Sequence, residues 1–305
     1  MSSSIVLAEA FMTMGDVWPA MLGVFRSQKS NSTALVNGMS LLGNLLRYCP
    51  NSNARDWAWM AATTAEPQLL SCTTPGMVMR YLRPDVVPWT NYNWKVPMRA
   101  YVQVMLDDLL VPFMCSPAYG APPILSSISR AGTQTLRTRV LLRDGGKCLV
   151  SNLWSSHARA ADLPRGEHVV GAQIAHIVPF KLNNKNDFHV AAERWCGIPR
   201  DTFRGDAIND IGNLLLLQSD VHIAMDDGRW GIEFLDQYTC LFRCIEPRPV
   251  RFHATRDLAD GQPIFFGRGD PTRLQPGPSR AATSLAYGIA RVWWDSGVSI
   301  ANAEF

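Results

Sequence analysis

The chain has 305 residues, 18% of them charged, and a formal net charge of +3. That length permits a sizeable core in one large or two modest domains. So mild a charge excess argues against a strongly basic protein that grips nucleic acid along a whole face. The seven cysteines are odd in number and scattered, and no Cys-x-x-Cys occurs. Reduced thiols in a reducing compartment are expected rather than a disulfide framework or a structural zinc knuckle.

The chain opens Met-Ser-Ser-Ser, with no basic residue before the first apolar stretch, and Glu9 and Asp16 interrupt that stretch. This is a poor secretory signal. With no apolar run of about 18 residues either, the expectation is an intracellular protein, compartment unspecified, with no membrane partner. Apolar residues at three-and-four spacing predict helices over 5–25 and 34–48, and a third over 101–111 ended by Pro112. Between them, Pro88 to Trp94 is aromatic and proline-marked and reads as a packed loop. The Pro/Ser/Gly-rich stretch 120–132 is the expected boundary. It divides a helical N-terminal region, 1–130, from a second domain, 131–305.

Beyond the boundary, 136–142 reads as a short amphipathic helix, Asp144-Gly145-Gly146 as a turn and 147–151 as a short strand. Residues 169–178 suit a strand ending at Pro179, and 182–210 read as irregular or partly helical. Asn213 opens a run of four leucines. Ser219 or Asp220 is the expected cap of a helix holding His222 and Asp226. Residues 230–235 and 240–245 suggest a hairpin, and Ser279 the cap of a last helix through Trp294.

All six histidines lie between 157 and 253. His157, His168, His189 and His253 are expected at the surface, and Cys148 as a core thiol. His176 ends a strand in Ala175-His176-Ile177-Val178-Pro179, and Asn213-Leu214-Leu215-Leu216-Leu217 follows 37 residues later. His222 stands nine residues after Asn213 and Asp226 four after that, so His222 and Asp226 share one helix face. A strand-end histidine that stays neutral can act as general base, an asparagine amide can lock a loop, and a His/Asp pair at i and i+4 can clamp a cation.

Taken in order, Arg143-Asp144-Gly145-Gly146-Lys147-Cys148, Ala175 to Pro179, Asn213 to Leu217 and His222 to Gly228 resemble the HNH, or ββα-metal, endonuclease family. They are most similar to its fungal branch. The resemblance covers roughly 136–250. It implies an α+β fold: the helical N-terminal region packed on a ββα-metal core with flanking strands and a C-terminal helix. It also implies a metal-dependent endonuclease hydrolysing phosphodiester bonds. His176 would be the base, Asn213 the loop organiser, His222 a metal ligand and Asp226 the second. The cofactor would be one divalent ion, Mg²⁺ or Mn²⁺ first and Zn²⁺ as the alternative, and the partner nucleic acid.

Two positions depart from the family pattern. Where many members carry a metal-binding residue just before the base, this chain has Ala175, and three before the base it has Gln173. Basic and acidic residues are nearly balanced over 136–251, with Arg137, Arg139, Arg143, Lys147, Lys181 and Lys185 as the candidates for a basic cleft. Two alternatives stand beside the nuclease. One is an HNH scaffold repurposed as a biosynthetic enzyme, with His176 as acid or base on an apolar small molecule and Trp89, Trp94, Trp154 and Trp195 as pocket candidates. The other is a catalytically inactive interaction module.

Overall fold

A computed structural model describes residues 44, 45, 48, 104–114, 130–158, 163, 166–236, 239–246, 259–267 and 276–295. The helices expected over 5–25 and 34–48, the aromatic stretch 88–94 and His253 lie outside these, save for isolated positions. The chain falls into two units, Met1–Val111 with Val190–Ile198 and Arg291–Phe305, and Pro112–His189 with Pro199–Ala290. Among the described residues the architecture is α+β: helices and three small sheets. Among the described residues no helix is long and apolar enough to cross a membrane.

In the first unit the fully buried Trp195 donates its indole N–H to the backbone carbonyl of Leu45 at 3.0 Å. Trp195 is therefore a core residue. Around Pro112 the chain forms a π-helix, Met105–Leu110, that continues as an α-helical turn, Val111–Met114. The expected stop at Pro112 is thus overrun. The wide π turn lies where an α-helix would press the carbonyl of Asp108, four residues back, against the ring of Pro112.

The second unit holds the histidine-rich segment. Helix α1, Arg130–Arg143, is longer than its apolar pattern indicated. It stops because Gly145 and Gly146 adopt positive φ, with Gly146 N–H bonding the carbonyl of Leu141 and Gly145 N–H that of Leu142. This is the paired closure that glycine makes easy at a helix end. The strand expected over 147–151 is absent. Lys147 forms one isolated bridge to Trp154, and 149–151 turn back. Strands β1, Trp154–Ser155, and β2, Val169–Val170, pair in parallel. The strand expected over 169–178 is broken at Gly171 and resumes as β3, Ala172–His176.

Strand β3 pairs antiparallel with β4, Leu214–Gln218, in a register that sets His176 opposite Leu214 and Gln173 opposite Leu217. All of β4 is buried, which accounts for its unbroken leucines. Ala172, Leu214 and Leu216 pack with Val140 of α1 and with Ile211, and the half-buried Ile174 joins them. The connection between the strands carries helix α2, Asn186–Cys196, and four short 3-10 turns.

Helix α3, Ser219–Asp226, follows β4 at once. Its N-cap is Gln218, without a side-chain cap bond. Ser219 donates instead to the Gly171 carbonyl, and Asp220 accepts from its neighbour Val221. Its C-terminus closes as α1 does: Gly228 has φ +64°, and the N–H groups of Gly228 and Arg229 bond the carbonyls of Met225 and Ala224. A Cβ at Gly228 would also collide with Met114. The expected hairpin is present as β5, Trp230–Phe234, and β6, Thr239–Cys244. A third strand, β7, Pro263–Phe265, which periodicity did not reveal, completes that sheet. The last helix, α4, is Arg280–Asp295, capped by Ser279 accepting from Ala282 N–H.

One buried ion pair ties α1 to the strand pair. Arg143 makes a two-pronged contact with Asp144 at 2.6 and 2.8 Å and donates to the carbonyls of Ile211 and Leu214. Asp144 also accepts from Leu216 N–H at 3.1 Å. Both side chains are fully buried, so Arg143 is spent inside the fold and is no candidate for a basic cleft. Cys148 adds a neighbouring tie, its sulfur accepting from Gln218 N–H at 3.2 Å. Removing one member of such a pair leaves a buried charge without its partner. Arg143→Leu is expected to cost about 3–5 kcal/mol, measured by urea denaturation. A loss below about 1 kcal/mol would contradict this role.

Candidate functional site

The ββα unit of β3, β4 and α3 gathers the histidine motif. At the end of β3, His176 is 8% exposed. Its Nε2 lies 3.1 Å from the Oδ1 of Asn209, and its ring packs against Phe180 with centroids 5.6 Å apart. Burial pushes its pKa below the usual histidine value, opposed by the bond to Asn209 and assisted by the nearby His222. His176 is therefore held neutral, the state a general base requires.

Asn213 sits where the connection re-enters β4, 1% exposed. Its Oδ1 accepts from Val178 N–H at 2.9 Å. Its Nδ2 donates to the carbonyls of Val178 at 3.1 Å and Ile208 at 2.9 Å. Its own backbone carbonyl accepts from Ile177 N–H. One residue thereby clamps the segment just beyond His176 to the turn that carries Asn209.

On α3, His222 Nε2 lies 3.4 Å from Asp226 Oδ2, as helical i,i+4 spacing requires. Gln173 on β3 reaches up to His222, its Oε1 3.0 Å from Nδ1. An amide oxygen only accepts, so Nδ1 carries the proton and the Nε2 lone pair is turned toward Asp226. Burial pushes His222 down to about 4. Burial, then the charge of Asp227, pushes Asp226 up to about 7, with Lys181 pulling the other way. At neutral pH the pair is a neutral imidazole facing a carboxyl close to its midpoint, rather than an ion pair.

Among the described residues, His222 and Asp226 are placed so that they could hold a divalent cation together. Gln173 acts behind His222 as the orienting partner that metal-bound histidines usually have. Among the described residues no cluster of three His, Cys, Asp or Glu side chains occurs. Ala175 is fully buried and offers nothing. The donor set of one imidazole nitrogen and one carboxylate fits a cation that keeps water or phosphate oxygens in its remaining positions.

The other histidines divide. His157 and His168 are exposed, as expected. His189 is buried instead, 2% exposed, with Nε2 3.0 Å from the Asn183 carbonyl. The amphipathic face of α2 places it inward, beside Phe188. Two residues that touch the histidines, Asn209 and Gln173, carry no motif that marks them as partners. For Gln173 the period of two along β3 is a usable signal; for Asn209 nothing in the sequence distinguishes it from a turn residue.

With this geometry in place, residues 148–233 match the family model for HNH endonucleases. The matched segment contains the ββα unit of β3, β4 and α3. No curated relative and no solved structure matches the chain.

The Asp226 carboxyl has a pH signature. Its folded pKa is above its unfolded value, so the folded state binds the extra proton, and this contribution to stability is lost as pH rises from about 4 through about 7. His222 acts oppositely, its contribution being lost as pH falls from the usual histidine range toward about 4. Asp226→Asn removes only the first effect. The variant is expected to exceed the native protein in stability by on the order of 1–2 kcal/mol at pH 8.5, without added metal, and to lose that advantage near pH 5. Thermal melts of both proteins at the two pH values measure this, and a difference independent of pH would contradict it.

Proposed function

We propose that the protein is a metal-dependent endonuclease that hydrolyses phosphodiester bonds of nucleic acid. His176 is the general base, and His222 with Asp226 holds one divalent cation, Mg²⁺ or Mn²⁺. One observation carries most weight. A buried, neutral histidine ends a strand whose antiparallel partner leads directly into the helix bearing the His222–Asp226 pair. The match to the HNH family supports the same reading. Two protein donors fall short of the three or four that usually hold Zn²⁺, and suit Mg²⁺, which retains most of its water.

A bound divalent ion supplies electrostatic stabilisation of the charge that builds on the phosphate. The chain's own residues do the remainder. His176 takes a proton from the attacking water as the new O–P bond forms and the ester P–O bond breaks. The departing oxygen takes a proton from solvent, so one water is consumed per bond cut. Asn213 holds the backbone beyond His176, and Gln173 keeps the Nε2 of His222 directed at the cation position. Lys181, close enough to Asp226 to influence its ionisation, brings positive charge to the same rim.

The repurposed small-molecule reading draws less support. A cavity lined by Phe113, Ile177, Leu215, Met225 and Trp230 borders Asp226, but it amounts to about 30 Å³. That holds about one water and is far below the size of an ordinary substrate pocket.

Plasmid DNA and structured RNA incubated with Mg²⁺, Mn²⁺, Ni²⁺ or Zn²⁺ test the reading. Cleavage is expected with Mg²⁺ or Mn²⁺, reduced about 100-fold or more by His176→Ala. Intact nucleic acid under every ion, with the protein folded, would overturn it.

A further inference from the structure

The neutral ring of His176 has two tautomers, and only one leaves a given nitrogen able to take a proton. We propose that Asn209 is a positioning residue that selects the Nε2–H tautomer and so makes Nδ1 the basic nitrogen. The proposal deepens the nuclease reading, because it identifies which atom of His176 accepts the proton from water.

The geometry carries it. The atom of Asn209 that faces Nε2, at 3.1 Å, is the side-chain carbonyl oxygen. Such an oxygen has lone pairs and no hydrogen, so the ring must supply the proton. A neutral ring with its proton on Nε2 has its free lone pair on Nδ1. As Nδ1 gains a proton the ring becomes an imidazolium, and the same carbonyl dipole then faces a full positive charge. The bond to Asn209 strengthens as the proton moves, which favours the transition state over the resting state.

Asn209 is itself held from both sides. It ends the 3-10 turn Gly205–Asn209. Asn213 donates to the carbonyl of Ile208, the residue before it. Asp210, the residue after it, accepts from Gly212 N–H at 2.7 Å. The peptide units flanking Asn209 are thereby fixed, and the side chain, 5% exposed, has little freedom to turn over.

This arrangement carries a cost. The Nδ2 of Asn209 is buried and has no hydrogen-bond partner among the described residues. Buried donors are almost always paired, and one left unpaired needs a reason. Here the orientation that leaves Nδ2 unpaired is the one that presents Oδ1 to His176. An aliphatic side chain of similar size would avoid the unpaired donor, but it would give the ring no acceptor.

The test is a long-range ¹H–¹⁵N NMR spectrum of the full-length protein at pH 8.5, with the His176 ring assigned by comparison with His176→Gln. The native chain is expected to show the Nε2–H pattern. Asn209→Leu is expected to lose it for a mixture, and Asn209→Asp, which keeps an acceptor at the same reach, to retain it. In cleavage assays Asn209→Leu is expected to lower kcat about tenfold or more with KM little changed, and Asn209→Asp to restore most of the rate. An Nδ1–H pattern in the native chain, or an Nε2–H pattern undisturbed in Asn209→Leu, would overturn the assignment. The native spectrum does not depend on Asn209→Leu, so it decides the tautomer even if that variant fails to fold. A protein that cuts nothing yet shows the tautomer changes as stated would refute the nuclease reading while supporting the positioning role.

Discussion

The side-chain amide of Asn213 is the constraint on which the site depends. A loop of more than thirty residues separates β3 from β4, and loops of that length ordinarily leave their ends poorly fixed. Asn213 answers this by bonding Val178 through both its N–H and its carbonyl, and Ile208 through its carbonyl. Where the chain leaves His176 and where it returns to β4 are thus joined at one buried point. An aspartate would lose the two donors and a leucine all three bonds. The amide is suited because it donates and accepts from one rigid plane.

The buried Arg143–Asp144 pair serves the same strands from the opposite direction. Its bonds end on Ile211, Leu214 and Leu216, so helix α1 grips the start of β4 just as Asn213 grips the loop that enters it. Replacing such pairs by apolar residues often costs little when both partners go, so stability alone does not explain the pair. Its geometry does more: two fixed charges and directed hydrogen bonds specify one register of β4, where four leucines in a row would tolerate a slip. Register matters because a shift by one residue would turn Leu214 away from His176 and move the start of α3.

Much of the fold could be read from the sequence, and the gaps have physical causes. The hairpin of β5 and β6 and the C-terminal helix announce themselves through pattern and caps, whereas the unbroken leucines of β4 carry no strand period. The third strand, β7, is three residues long and begins with proline, so its pairing comes from β6 and not from its own composition. The strand expected near Lys147 failed because the glycine pair closing α1 sends the chain into turns. At the site, His176, Asn213, His222 and Asp226 stand out by spacing. Arg143 looked like a surface charge, since nothing in a sequence distinguishes an arginine that contacts phosphate from one enclosed by carbonyls. Gln173 and Asn209 act through contacts to residues 49 and 33 positions away, and such contacts exist only once the strands have paired.

The site's electrostatics follow from these same contacts. Gln173 occupies a strand position from which a carboxylate would add negative charge beside His222, and Ala175 below it is apolar. Burial strips hydration from the pair on α3, which is why His222 falls and Asp226 rises, with Asp227 adding to the rise and Lys181 opposing it. A cation entering there must displace a proton that Asp226 partly retains at pH 7, and it meets only one imidazole and one carboxylate. On the proposed reading, affinity for free metal would be weak and would grow with pH as Asp226 ionises. A phosphate brought alongside changes the balance, since its oxygens supply both further ligands and the missing negative charge. Metal and nucleic acid should then bind cooperatively, each raising the affinity for the other by the same factor. On the proposed nuclease reading, the neutral side chains of Gln173 and Ala175 would leave part of the metal's binding energy to the substrate.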